Sequence, residues 1–331
     1  MGAWLEQRKV LLLDLDNTLY DWVAFFAPAL RGMCRILSEA TGLSSESLFH
    51  EFKMVFARHG TVEYSFALQE LPSVVAMHPG ESSARIVERY RGAIEVFQHR
   101  RRTYLRPYPG VRSGIELLHE GGYEVFGVTD SRRFQAENRL RQLRLDRLLD
   151  GLCCVADHEV PDAETVAAIR RKDEAHYRSA LRHVITLPDG LRKPAPGVLD
   201  FVLSALGAEY GACVYVGDSL AKDISMAQRA GVYDCWAEYG VRVSSLDFAT
   251  LVRVTDWPKA AVRSALNPSP QRLRIFPSFI ATSFDAVVSL ALTPPNERPK
   301  QRWPNKGPRQ LSLLEVGPEL SATGAAPDSH T

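Results

Sequence analysis

Asp14 and Asp16 follow directly on the apolar run of VLLLDLDNTL (10–19), and Asp218 and Asp223 follow the apolar run of VYVGDSLAKD (214–223). Alone, each pattern also fits an ordinary turn with a helix N-cap. Together they say more. If both runs are neighbouring parallel strands, their carboxyl ends bring four carboxylates into one small volume. Like charges at close range raise one another's pKa or require a counter-ion, and an oxygen-only donor set suits Mg²⁺ better than zinc. Mg²⁺ keeps several waters and meets phosphates in such sites, so the acids point to a phosphorylated ligand.

The elements that would carry these acids are legible as an alternation of short apolar runs with helical periodicity, the pattern of a parallel sheet covered on both faces. The expected strands are VLLLD (10–14), YEVFGVT (123–129), LLDGLCCVA (148–156), CVYVGD (213–218) and YDCWAEY (233–239). Helices are expected over 133–145, 194–208 and 221–231, the last closed by Gly231. The fold class is therefore α/β, a Rossmann-like doubly wound parallel sheet, with core segments 1–20 and 108–293. Residues 21–107 interrupt the alternation with helical stripes such as Leu48, Phe52, Val55 and Phe56, and no strand pattern. A helical insert after the first strand would stand over the carboxyl ends of the strands, where open α/β sheets bind ligands, and so would form a cap. A second insertion, 157–192, reads as a charged helix beside the core. From Pro294 to Thr331 the composition turns Pro-rich and poor in aromatics, as in a disordered tail.

Composition narrows the function. The 331 residues are 45% hydrophobic and 24% charged, with a net charge of +1, which supplies no global field for nucleic acid. Cys34, Cys153, Cys154, Cys213 and Cys235 have no C-x-x-C spacing and read as core residues in a reducing compartment. No secretion core opens the chain, and no apolar run approaches the ~18 residues of a membrane span. A cytoplasmic protein without a membrane partner is expected. The basic run HRRRTYLRP (99–107) is read as a solvated helix end, and Trp22, Phe25 and Phe26 as packing or pocket aromatics.

Over residues 9–293 the sequence resembles the haloacid dehalogenase-like (HAD) hydrolase superfamily, specifically its phosphatase-type members with a helical C1 cap. The resemblance rests on four motifs in order: DLDNT (14–18), the strand ending GVTDS (127–131), Lys193 in RKPAPG (192–197), and GDSLAKD (217–223). It implies a Mg²⁺-dependent phosphomonoesterase acting on a small phosphorylated metabolite. Asp14 would be the nucleophile that forms an aspartyl-phosphate, and Asp16 the proton donor and later the base. The Asp14 carboxylate, the Asp16 carbonyl and Asp218 would hold the metal, with Asp223 orienting a metal-bound water or Lys193. Thr129 and Lys193 would bind the phosphoryl oxygens, assisted by the backbone N–H groups of Leu15 and Asp130. Ser131 and Ser219 rank second as donors, and Thr18 is read as closing the loop.

Outside the resemblance, Thr129 also fits a plain β-branched strand residue, and Lys193 a surface lysine before a helix. Lys172 is the rival for Lys193, since 157–192 is a long separation for this motif. Two other functions fit the fold. A carbon–halogen hydrolase needs no acid two residues after its nucleophile, so Asp16 argues against it. A non-catalytic binding module would use the Pro-rich tail and leave the filled catalytic positions without a role.

Overall fold

The computed structural model describes residues 8–256 and 268–299 of the chain. Seven parallel strands form one sheet in the order β4-β3-β2-β1-β5-β6-β7. The strands are β1 (Lys9–Leu13), β2 (Tyr123–Arg132), β3 (Gly151–Val155), β4 (His183–Thr186), β5 (Cys213–Gly217), β6 (Tyr233–Ala237) and β7 (Phe279–Ala281). All five expected strands are present with slightly shifted ends, and β7 with the helix Phe284–Leu292 completes the edge.

β1 lies at the centre because its residues suit burial on two faces. Leu11 and Leu13 belong to a large apolar cluster on one side, Val10 and Leu12 to a smaller one on the other, as the period of two requires. Leu13 stands opposite Gly127 of β2 and Val216 of β5. Residues immediately after Leu13, Gly127 and Val216 must therefore meet at one rim of the sheet.

The insert between β1 and β2 is helical throughout its regular elements: α1 (Trp22–Thr41), α2 (Ser45–His59), α3 (Pro72–Met77), α4 (Ser83–Arg89) and α5 (Arg91–Tyr104), with a 3₁₀ turn at Ala67–Glu70. Asp21 caps α1, accepting from the Ala24 N–H at 2.8 Å, and Gly42 ends it in the left-handed region at φ 74°. Its apolar face carries Phe25, Phe26, Leu30 and Met33 into the larger cluster. α6 (Val111–Glu120) leads into β2, and α7 (Arg133–Leu143) leaves it.

The second insertion differs from its expectation. Residues 157–192 form two short helices, α8 (Ala163–Ile169) and α9 (Glu174–Tyr177), and then β4, which pairs with β3 from Gly151↔His183 to Cys154↔Thr186. The anticipated continuous charged helix is absent. Asp173 caps α9 from within that stretch, accepting from the His176 N–H at 3.1 Å, and so starts a new helix instead of extending the first. β4 is half-buried and owes its form to the neighbouring strand.

Beyond β4 come α10 (Gly197–Leu206), α11 (Ser225–Ala230) and α12 (Ser245–Val254), the last ion-paired to the insert through Arg31 and Asp247 at 2.7 Å. The expected 221–231 helix is α11 preceded by a π turn at Leu220–Ile224. Most of the expected tail lies outside the described residues. Within it, Arg298 is buried and donates to the Tyr123 hydroxyl at 2.8 Å. All five cysteines are buried and unpaired. No described helix is long and apolar enough to cross a membrane.

Candidate active site

The strand that opens the sequence ends in acids because it stops at the rim. The Asp14 N–H donates to the Val216 carbonyl at 2.9 Å, which ties the start of the loop to β5. The chain then turns through Asn17 at φ 58°, with Thr18 and Leu19 N–H groups closing onto the Leu15 carbonyl. The Thr18 hydroxyl donates to Asp14 Oδ2 at 3.2 Å, in keeping with its expected role in the loop.

Across from it, Gly217 ends β5. A Cβ there would come within 2.4 Å of the Asp223 carboxyl carbon, so only glycine lets this carboxylate fold back against the strand end. The Ser219 N–H fixes it from the other side at 3.0 Å, and the Tyr215 hydroxyl donates to it at 2.8 Å.

Asp14, Asp218 and Asp223 thus each offer an oxygen within 4.8 Å of the others. Lys193 is the cation among them: its Nζ contacts Asp14 Oδ1 and lies 2.8 Å from Asp223 Oδ1. One ammonium does not balance three carboxylates. Burial, reinforced by the charges of Asp223 and Asp16, pushes the Asp14 carboxyl up to about 7 against the pull of Lys193. Burial and the Asp14 and Asp223 charges likewise hold Asp218 well above the carboxylate range. Burial lowers the Lys193 ammonium, but Asp14 and Asp223 outweigh it and keep its pKa well above ordinary. An all-oxygen donor set with surplus negative charge fits a hard divalent cation such as Mg²⁺.

The remaining expected residues fall around this centre in different ways. Thr129, two residues beyond Gly127 on β2, is buried, and its Oγ1 accepts from the Ser131 N–H at 3.1 Å. Asp130 accepts from the Lys193 backbone N–H at 3.1 Å, so its carboxylate holds the segment that carries the lysine. Lys172 is exposed, which leaves Lys193 as the lysine that reaches Asp14. Ser219 caps the π turn, accepting from the Lys222 N–H at 3.2 Å. The Asp16 side chain stands apart from the three clustered carboxylates: its Oδ2 accepts from the Ser131 hydroxyl at 2.7 Å and from Arg139 at 3.3 Å.

Arg139 is the residue that sequence reasoning missed. It is 1% exposed, donates from Nε to the Tyr20 hydroxyl at 2.9 Å, and ion-pairs with both Asp16 and Glu63. It therefore joins α7 and the helical insert to the acid at the rim. A signal existed: Ala136, Arg139, Leu140 and Leu143 share one buried helix face, and an arginine on such a face needs a partner. Tyr215, read only as a strand residue, was missed for the same reason.

A cavity of about 190 Å³ opens between the insert and the core, lined by Phe25, Phe26 and Arg101 from the insert and by Arg132, Gln135 and His158 from the core. Arg101 was expected on a solvated helix end, and the structure turns it inward instead. Trp22 is a packing residue, its ring stacked on Phe26 at 4.8 Å.

With this geometry in view, the chain belongs to the haloacid dehalogenase-like hydrolase family, whose model matches residues 8–231. It is similar to a glyceraldehyde 3-phosphate phosphatase of Methanopyrus kandleri, 26% identical over 230 residues, covering 68% of this chain and 81% of that protein. It is also similar to a phosphoserine phosphatase of Thermus thermophilus, 25% identical over 281 residues, covering 78% of this chain and 100% of that protein. Among solved structures, a HAD phosphatase from Thermococcus onnurineus shares 17% identity at a TM-score of 0.49, covering 85% of this chain and 96% of that one.

Proposed function

We propose that the protein is a Mg²⁺-dependent phosphomonoester hydrolase acting on a small phosphorylated metabolite, with residues 21–107 as its cap. The observation that carries this reading is the meeting of Asp14, Asp218, Asp223 and Lys193 at the ends of the adjacent strands β1 and β5. The phosphatase names of two similar proteins support it further.

In this reading a Asp14 carboxylate oxygen attacks phosphorus in line, and the bond to the leaving oxygen breaks as the aspartyl-phosphate forms. Asp16 gives its proton to the leaving oxygen, then takes one from the water that attacks the same phosphorus. Phosphate departs and Asp14 is restored. Thr129 and Lys193 bind the phosphoryl oxygens, and Asp223 holds the ammonium in place. Asp14, the Asp16 carbonyl and Asp218 would hold Mg²⁺, which supplies charge neutralisation for the phosphoryl group. The helical insert excludes water from the reacting atoms.

Hydrolysis of p-nitrophenyl phosphate with and without Mg²⁺, by the wild type and by Asp14→Asn, tests the reading. We expect turnover only with Mg²⁺, and a loss of roughly 10³-fold or more in the variant, as for removal of a nucleophile. Equal rates in the two proteins would remove Asp14 from the reaction.

A further inference from the structure

The cavity beside the acids is built for more than a water-filled gap. It lies past the ends of β2 and β3: Arg132 is the last residue of β2, and Asp157 and His158 follow β3. Ser131, the residue before Arg132, donates to Asp16, so the cavity begins one residue from a group that touches the proposed proton donor. In the proposed reaction the leaving oxygen takes its proton from Asp16, so the leaving group would extend on the Ser131 side of the site, the side on which the cavity opens.

The walls define what fits. Phe25, Phe26, Phe56, Phe97 and Phe134 give the cavity an aromatic lining. An apolar cavity of about 150 Å³ holds a benzene ring, so a volume of about 190 Å³ admits one ring with a small substituent. Three guanidinium groups also face it, from Arg101, Arg132 and Arg170, and none forms an ion pair among the described residues. Of the two acids that line it, Glu63 is taken by Arg139, and Asp157 accepts from the Phe134 N–H at 2.8 Å.

Two of the three arginines are occupied. Arg132 donates to the Ala156 carbonyl at 2.7 Å, and Arg170 lies 3.7 Å over the Phe134 ring. Arg101 is not: its Nε is buried without a hydrogen-bond partner, and its Nη1 has only a 3.4 Å contact with Gln135. Burial lowers its pKa to about 10, which leaves it a cation at neutral pH. His158, from the core side of the same cavity, also keeps a buried Nε2 without a partner. A buried polar atom left unmatched in the free protein is one a ligand satisfies, and on Arg101 that atom is an N–H donor.

We propose that the substrate's leaving group is an apolar or aromatic body ending in a second anionic group, and that Arg101 is the specificity-determining residue that binds that anion. The inference rests on the phosphatase reading and narrows it. It also gives the basic run 99–107 a function that the sequence alone did not.

The test compares 4-carboxyphenyl phosphate with its neutral isostere 4-carbamoylphenyl phosphate, with p-nitrophenyl phosphate as the baseline for turnover. In the wild type, kcat/KM should favour the carboxylate by about tenfold or more, the discrimination of a charge-assisted hydrogen bond, and mostly through KM. In Arg101→Gln the ratio should fall to near one, and Arg101→Lys should retain part of it. Should Arg101→Gln not fold, which a thermal melt would show, Arg101→Lys carries the test: a ratio below that of the wild type supports the assignment and an unchanged ratio overturns it. A wild-type ratio near one, or a ratio that survives in Arg101→Gln, overturns the assignment while turnover of p-nitrophenyl phosphate leaves the phosphatase reading intact. Hydrolysis of none of the three esters overturns both.

Discussion

Arg139 shows how much a single side chain commits when it is buried with its charge. Burial lowers its pKa, but Asp16 and Glu63 outweigh that penalty and hold the guanidinium well above its ordinary value. Removing it leaves both carboxylates without their shared cation. Breaking a buried pair in this way costs about 3–5 kcal/mol, and the partial exposure of Asp16 and Glu63 puts Arg139→Ala toward the lower end. Urea denaturation should show this as a lower midpoint. Arg139→Lys restores the charge but not the fork that reaches Tyr20, Glu63 and Asp16 together, so it should recover only part of the loss. The site residues that were legible in the sequence, Asp14, Asp218 and Lys193, all follow strand ends or a recognisable motif. Arg139 sits mid-helix, where its partners Tyr20, Asp16 and Glu63 come from segments 76 to 123 residues upstream and only the fold reveals them.

At the scale of elements, the site depends on how β1 and β5 end. β1 hands over directly to Asp14, while β5 needs Gly217 so that the following π turn can bring Asp223 back against the strand. Gly217→Ala places a methyl group in the space of the Asp223 carboxylate. Overpacking of this kind costs about 1–3 kcal/mol, and here the strain falls on the ion pair that positions Lys193. Turnover of p-nitrophenyl phosphate should therefore fall much further than stability, by roughly 10²-fold, the effect of displacing a positioning group by about 1 Å. An alanine variant with wild-type turnover would show that Asp223 tolerates displacement. The central strands were readable because their apolar runs are near-continuous. β4 was not, because HVIT is half-buried, follows a charged segment, and becomes a strand only through its pairing with β3.

For the molecule as a whole, the cluster at the rim sets stability against function. Asp14, Asp218 and Asp223 repel one another in the protein without a cation, and Lys193 offsets only part of that repulsion. Burial and its acidic neighbours make a charged Asp218 costly in the fold, and Asp218→Asn relieves that cost while keeping the shape and an acceptor oxygen, so the metal-free variant should melt above the metal-free wild type. A cation that binds the native cluster and not the unfolded chain adds stability by mass action, about 2.7 kcal/mol at a hundredfold excess over its dissociation constant. The wild type should therefore gain melting temperature with MgCl₂ beyond what NaCl at the same ionic strength gives, and Asp218→Asn should gain little. The substitution should thus raise stability without the ion and forfeit the gain the ion gives, for one physical reason: the charge that repels its neighbours in the cluster is the charge that binds the ion. If Asp218→Asn melts lower than the wild type without metal yet still responds to MgCl₂, then Asp218 is a structural acid and the cation is held by other groups.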